Sequence, residues 1–228
     1  MNVFQDVYEK LLSLLVYKIR LAVVQWRDEG YPGASTTSKA LLNFWFNQEH
    51  LVNQKQFRFF FAQREALESI IYLYEVSKAH DKYELMRFDS SGRISTGMFD
   101  ETWTRYVIKM ATGAGKTKVM ALTLVWSYFH KLYELNSSLS KNFLVIAPNI
   151  IVLNRLRKDF DGLKMFFEEP FLPENGFADR DWQNDFQPSL HIQDELKPIT
   201  ATGNIFLTNI HRVFFNSDPE ISLETTFL

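Results

Sequence analysis

Gly113, Gly115, Lys116 and Thr117 lie in the run MATGAGKT, residues 110–117, and have the types and spacing that bind a polyphosphate. Two glycines let the backbone turn tightly and aim successive N–H groups at one oxyanion, with the positive end of a helix dipole behind them. Thr112 and Ala114 complete the turn. Lys116 reaches the β- and γ-phosphates as a point charge, and the Thr117 hydroxyl holds a magnesium ion bridging the same groups. The usual pattern places Gly five residues before Gly115, where this chain has Met110. The Gly-x-Gly-Lys-Thr core is intact.

Other candidates are weaker alone. Telling adenine from guanine takes a group that both donates and accepts, and the amide of Gln63 does so. Arg58, Phe60 and Phe61 are near enough in sequence to stack on a base. Downstream, Pro148 and Asn149 end an apolar run, and Arg155 and Lys158, three apart in the following helical run, share a face able to grip a phosphate backbone. Thr208 and Asn209 end another apolar run. Short hydroxyl and amide side chains there suit phosphate oxygens, and equally suit helix caps. Asp194-Glu195 is the one adjacent Asp-Glu pair after the phosphate loop. It follows a run of alternating polarity, which predicts an edge strand rather than the doubly covered strand a magnesium-holding pair needs.

These groups need elements to hold them. Residues 105–110 are rich in β-branched and aromatic side chains and predict a strand, and 117–135 predicts the helix that leaves the loop. A strand at 142–148, a helix at 150–165 and a strand at 204–209 continue the alternation. Near-continuous apolar strands between helices predict an α/β fold with a parallel sheet. Before the loop, helices are predicted over 3–28, 37–48 and from about Phe60 through His80, the first ended by Gly30, Pro32 and Gly33. The acidic, turn-rich stretch 166–190 predicts a long surface loop.

At 228 residues with 46% apolar side chains, the chain can bury one core with an appendage. It has no cysteine, which excludes disulfides, thiolate metal sites and cysteine nucleophiles and fits a reducing cytoplasm. Lys18 and Arg20 interrupt the apolar run from Leu11, so it predicts an amphipathic helix and not a membrane span. The net charge of −2 argues against a general nucleic-acid coat protein, although it is uneven. Residues 1–165 hold 22 basic and 16 acidic side chains, and 166–228 hold 3 and 11, so a polyanion docks on the earlier portion if anywhere.

In order, AQREALESIIYLYEV, MATGAGKT, APNIIVLNRLRKDF and LTNIHR resemble the first motor lobe of superfamily 2 helicases of DEAD/DEAH type. The likeness is greatest to the helicase-restriction subunit of type III restriction enzymes and covers roughly residues 57–215. It implies a RecA-like P-loop NTPase lobe over 57–228, incomplete at its carboxyl end, with a helical extension over 1–56. By resemblance the cofactors are ATP and Mg2+. Gln63 reads adenine, Thr112 to Thr117 hold the triphosphate, Lys116 and Thr117 serve the chemistry, and Thr117 holds the metal. Pro148, Asn149, Thr208 and Asn209, with Arg155 and Lys158, line a nucleic-acid track. The partners implied are double-stranded DNA and a modification methyltransferase subunit, with no membrane. The acidic pair and second lobe of such motors lie beyond the LTNIHR run, so this stretch is expected to bind ATP weakly and hydrolyse it negligibly. Two other readings stay open on the residues alone: a P-loop phosphotransferase, and a non-catalytic nucleotide-binding interaction module.

Overall fold

The computed structural model describes residues 14–88, 103–193, 195 and 197–213. The chain divides into two compact units, residues 1–47 with 58–119, and residues 48–57 with 120–228.

The first unit is helical. Helix α1, Leu14–Asp28, turns Val23 and Trp26 into the core, and it stops where Gly30 and Tyr31 take positive φ angles of 77° and 60°. The predicted first turns of this helix, residues 3–13, lie outside the described residues. Trp26 Nε1 donates to Pro32 O at 2.9 Å, which fixes the exit of the chain. Helix α2, Thr36–Asn47, opens with Ser35, whose Oγ accepts the Ser38 N–H, and it buries Leu41, Leu42 and Trp45. Helix α3, Phe61–Ile71, buries Ala66, Leu67 and Ile71.

The sequence predicts one helix from about Phe60 to His80, but the α-helical hydrogen bonding ends at Ile71. Tyr72–Val76 form a π turn closed by Ser77 N–H to Tyr72 O, and Lys78 then takes a positive φ. Helix α4, Lys82–Met86, is capped by the Asp81 carboxylate. The expected strand at 105–110 is absent: residues 104–111 have no regular secondary structure and no described strand as a partner. A strand needs a ladder partner as well as a suitable composition.

Helix α5, Lys116–Tyr133, follows the loop. In the second unit, β1, His50–Val52, and β2, Lys55–Phe57, form an antiparallel hairpin turned by Asn53 and Gln54 at φ 51° and 63°. Strand β3, Asn142–Ala147, leads into α6, Ile150–Asp159, which ends before residue 165 because Gly162 and Leu163 turn left-handed. Helices α7, Lys164–Glu168, and α8, Trp182–Asp185, come next. They are followed by strand β4, Ser189–Ile192, strand β5, Asn204–Asn209, and helix α9, Ile210–Val213.

The sheet is parallel in the order β3-β5-β4, with Ala147 opposite Asn209 and Ile192 opposite Leu207. Central β5 buries Ile205 and Leu207 on one face and half-buries Phe206 and Thr208 on the other. Edge strand β3 leaves Leu144 and Ile146 exposed.

The stretch 166–190 is not the surface loop predicted from its acids and turn residues. Phe166, Phe171, Trp182 and Phe186 are buried and form an aromatic cluster, mostly edge-to-face, with Tyr128, Phe129 and Tyr133. Trp182 and Phe129 lie 4.8 Å apart, centroid to centroid. The apolar area of those rings outweighs the turn preference of the residues between them. Among the described residues no helix is long and apolar enough to cross a membrane.

Candidate nucleotide and nucleic-acid sites

In the first unit, the loop from Ala111 to Gly115 opens α5. Ala114 N–H closes on Ala111 O, and Lys118 and Val119 N–H both close on Gly115 O. The N–H groups of Lys116 and Thr117 belong to the first helical turn and have no intrahelical acceptor. Gly113 and Gly115 both have φ +81°. A Cβ at Gly113 would meet open space, but one at Gly115 would lie 2.1 Å from Gln63 Nε2. Thr112, Gly113 and Lys116 are exposed, and Thr117 is half-buried. The Lys116 ammonium donates to Ala111 O at 2.8 Å and so folds back over its own loop. Two glycines at positive φ, a helix N-terminus and an exposed ammonium together fit a triphosphate with its magnesium ion.

Gln63 is 1% exposed, and both ends of its amide are engaged. Oε1 accepts Phe60 N–H at 2.9 Å, capping α3, and Nε2 donates to Ala114 O at 3.1 Å. The residue read from sequence as a base reader is therefore also a strut between α3 and the phosphate loop. Arg58, Phe60 and Phe61 are exposed at the start of α3, the two rings at 64% and 59%. Phe59 instead packs on Phe46, 5.9 Å between centroids. Among the described residues no group of three or more His, Asp or Glu side chains could hold a metal ion.

The second unit brings Pro148, Asn149, Thr208 and Asn209 to one end of the sheet, because the β3–β5 register sets Ile146 and Ala147 opposite Thr208 and Asn209. Pro148 and Asn149 are exposed. Asn149 Oδ1 accepts Val152 N–H at 2.9 Å and Asn209 Oδ1 accepts Arg212 N–H at 3.2 Å, so each amide caps the following helix while keeping its NH2 group. Arg155 and Lys158 are exposed on α6.

Sequence reasoning missed Gln193. Its N–H extends the β4–β5 ladder to Leu207 O, and its Oε1 accepts Asn209 N–H at 3.2 Å and the Thr208 hydroxyl at 3.4 Å. Its position one residue past β4 was the only signal.

Of the Asp194-Glu195 pair, Asp194 lies outside the described residues. Glu195 pairs with Lys197 at 2.7 Å and Arg157 at 3.3 Å. The hydrogen bond from Lys197, with the charges of both cations, holds its carboxyl below the usual range. Strand β4, which precedes it, is an edge strand of the described sheet.

A parallel sheet flanked by helices, together with a Gly-x-Gly-Lys-Thr loop opening a helix, defines an α/β lobe of RecA-like type. The family model described as "Type III restriction enzyme, res subunit" matches residues 56–225, and the chain belongs to this family. Membership carries an ATP-dependent, helicase-like function. No curated protein matches the chain, and no solved structure does.

Proposed function

We propose that the chain is the ATP-binding part of an ATP-dependent DNA translocase of a type III restriction system, with residues 57–228 as the motor lobe and 1–56 as an appended helical element. The observation that carries this reading is the loop at 112–117, whose two glycines at φ +81° open α5 and leave the Lys116 and Thr117 N–H groups without an intrahelical acceptor. In use, Lys116 leaves Ala111 O for the β- and γ-phosphates. The Thr117 hydroxyl would hold a magnesium ion, which would supply the charge neutralisation that phosphoryl transfer needs. The exposed rings of Phe60 and Phe61 offer faces to the base.

Pro148, Asn149, Thr208 and Asn209, with Gln193 beside them, form a short uncharged polar row suited to the phosphates of one strand of double-stranded DNA. Arg155 and Lys158 supply the charge on α6. Membership of a restriction-subunit family supports a modification methyltransferase as partner and a cytoplasmic site of action. Glu195, tied to two cations, is a poor candidate for holding the metal.

The test is calorimetric titration of MgATP into the 228-residue chain and into Lys116→Ala. Loss of one charge-assisted contact, ~1.5–3 kcal/mol, should weaken binding by about tenfold to a hundredfold. Equal affinities would refute the assignment of this loop.

A further inference from the structure

The helices that precede the matched family region hold α3 through a set of ionic contacts, all within the first unit. Arg20 of α1 grips Glu65 with Nε and Nη2 at 2.7 Å each. Arg27 of α1, the Tyr31 hydroxyl and Arg64 of α3 converge on Glu68, a fully buried carboxylate. Arg64 also donates to the Tyr31 hydroxyl at 2.9 Å. Further along, Glu75 accepts the Ser35 N–H and the Ser38 hydroxyl at the start of α2. Three carboxylates on one helical stretch are thus each claimed by the amino-terminal helices.

Next to Arg64 stands Gln63, whose amide reaches 51 residues along the chain to Ala114 O. Gly115 has room for no side chain because that amide fills the space. Behind the loop, packing is sparse. A cleft of about 410 Å3, open to solvent on one side, lies there, bordered by Ile19 and Arg20 of α1, Ala62 and Glu65 of α3, and Met110 and Ala114. A wall that faces solvent has no packed neighbours on that side to hold it. The loop is therefore held by the Gln63 strut rather than by a packed core, and the strut is only as fixed as α3.

We infer that the amino-terminal helices are a positioning device for the phosphate loop. The Arg27–Glu68–Arg64 cluster and the Arg20–Glu65 pair fix α3, and Gln63 passes that constraint to Ala114 and Gly115. Gln63 is then a positioning residue as well as a candidate base contact. The effect on nucleotide affinity rests on the reading of 112–117 as the triphosphate cradle, but the effect on loop order does not.

The experiment is amide hydrogen exchange in the unliganded 228-residue chain, read at Ala114, Lys118 and Val119, whose N–H groups close the loop. Glu68→Gln should speed exchange at these three sites by about tenfold, the scale of one buried hydrogen bond. Gln63→Ala should do the same, and the double variant should be no faster than either single one, because one route carries both effects. Amides of β5 in the second unit serve as the control and should not change.

Glu68→Gln leaves two arginines short of a counter-charge and is open to misfolding, so Glu65→Gln, at the half-exposed pair, is the second variant. It should give a smaller acceleration, about twofold, that vanishes in the Gln63→Ala background. Rates that multiply in the double variants, or that are unchanged in both single glutamate variants, would overturn the inference. If Lys116→Ala binds MgATP as well as the parent chain while the exchange pattern appears, the cradle reading fails and the positioning device stands.

Discussion

Gly113 and Gly115 have the same backbone angle but different surroundings, and this separates two requirements that a glycine can serve. At Gly113 the requirement is conformational alone, since nothing lies within 4 Å of a added Cβ. Gly113→Ala should therefore cost only the strain of a left-handed alanine, ~1–2 kcal/mol. At Gly115 the same strain is joined by a collision with the Gln63 amide at 2.1 Å. Gly115→Ala must expel Gln63 and so break its bonds to Ala114 O and Phe60 N–H, adding roughly another 1–3 kcal/mol. Thermal denaturation of the two variants checks the order: Gly115→Ala is expected to melt clearly lower, and equal melting temperatures would mean that Gln63 does not occupy that space. The need for glycines was legible in the sequence. Which one faces Gln63 was not, because the contact spans 51 residues.

Between elements, the joint of α1 to α3 gives a pH dependence whose sign is fixed by Tyr31. Burial, then the hydrogen bond to Glu68 and the charge of that carboxylate, push the phenol up to about 12. In the unfolded chain it titrates near its ordinary value of about 10. Between those values the folded chain keeps a proton that the unfolded chain has lost. The contribution is therefore complete below about pH 10 and is lost as pH rises through about 12. Urea denaturation at a series of alkaline pH values should show the parent chain losing stability more steeply than Tyr31→Phe over that window; parallel curves would contradict the buried phenol–carboxylate contact.

The sequence located β5 to the residue, since an apolar run between turn signals leaves little choice. The similar run at 105–110 misled, because composition specifies a willingness to pair and not a partner. The stretch 166–190 misled in the opposite direction. Its prolines, glycine and acids marked turns correctly, but Phe166, Phe171, Trp182 and Phe186 drew those turns into the core.

For the whole molecule, the family region at 56–225 and the two compact units divide the chain differently. The first unit joins helices that precede the family region to the α3 and phosphate-loop segments inside it. The short β1–β2 hairpin, whose three-residue strands are too brief to show a period, clusters with the second unit. Order along the chain gave the candidate sites, whereas spatial grouping gave their supports: Gln63 with the loop, and Gln193 with Thr208 and Asn209.

The central claim is that main-chain amides at 112–117 grip a triphosphate. Its most direct test is amide NMR of the 228-residue chain, titrated with a non-hydrolysable ATP analogue and magnesium. The account predicts that the largest shifts fall on Gly113, Gly115, Lys116 and Thr117, saturate together, and recur with inorganic tripolyphosphate. A saturating analogue that leaves those four amides in place, or shifts chiefly residues elsewhere, would contradict it.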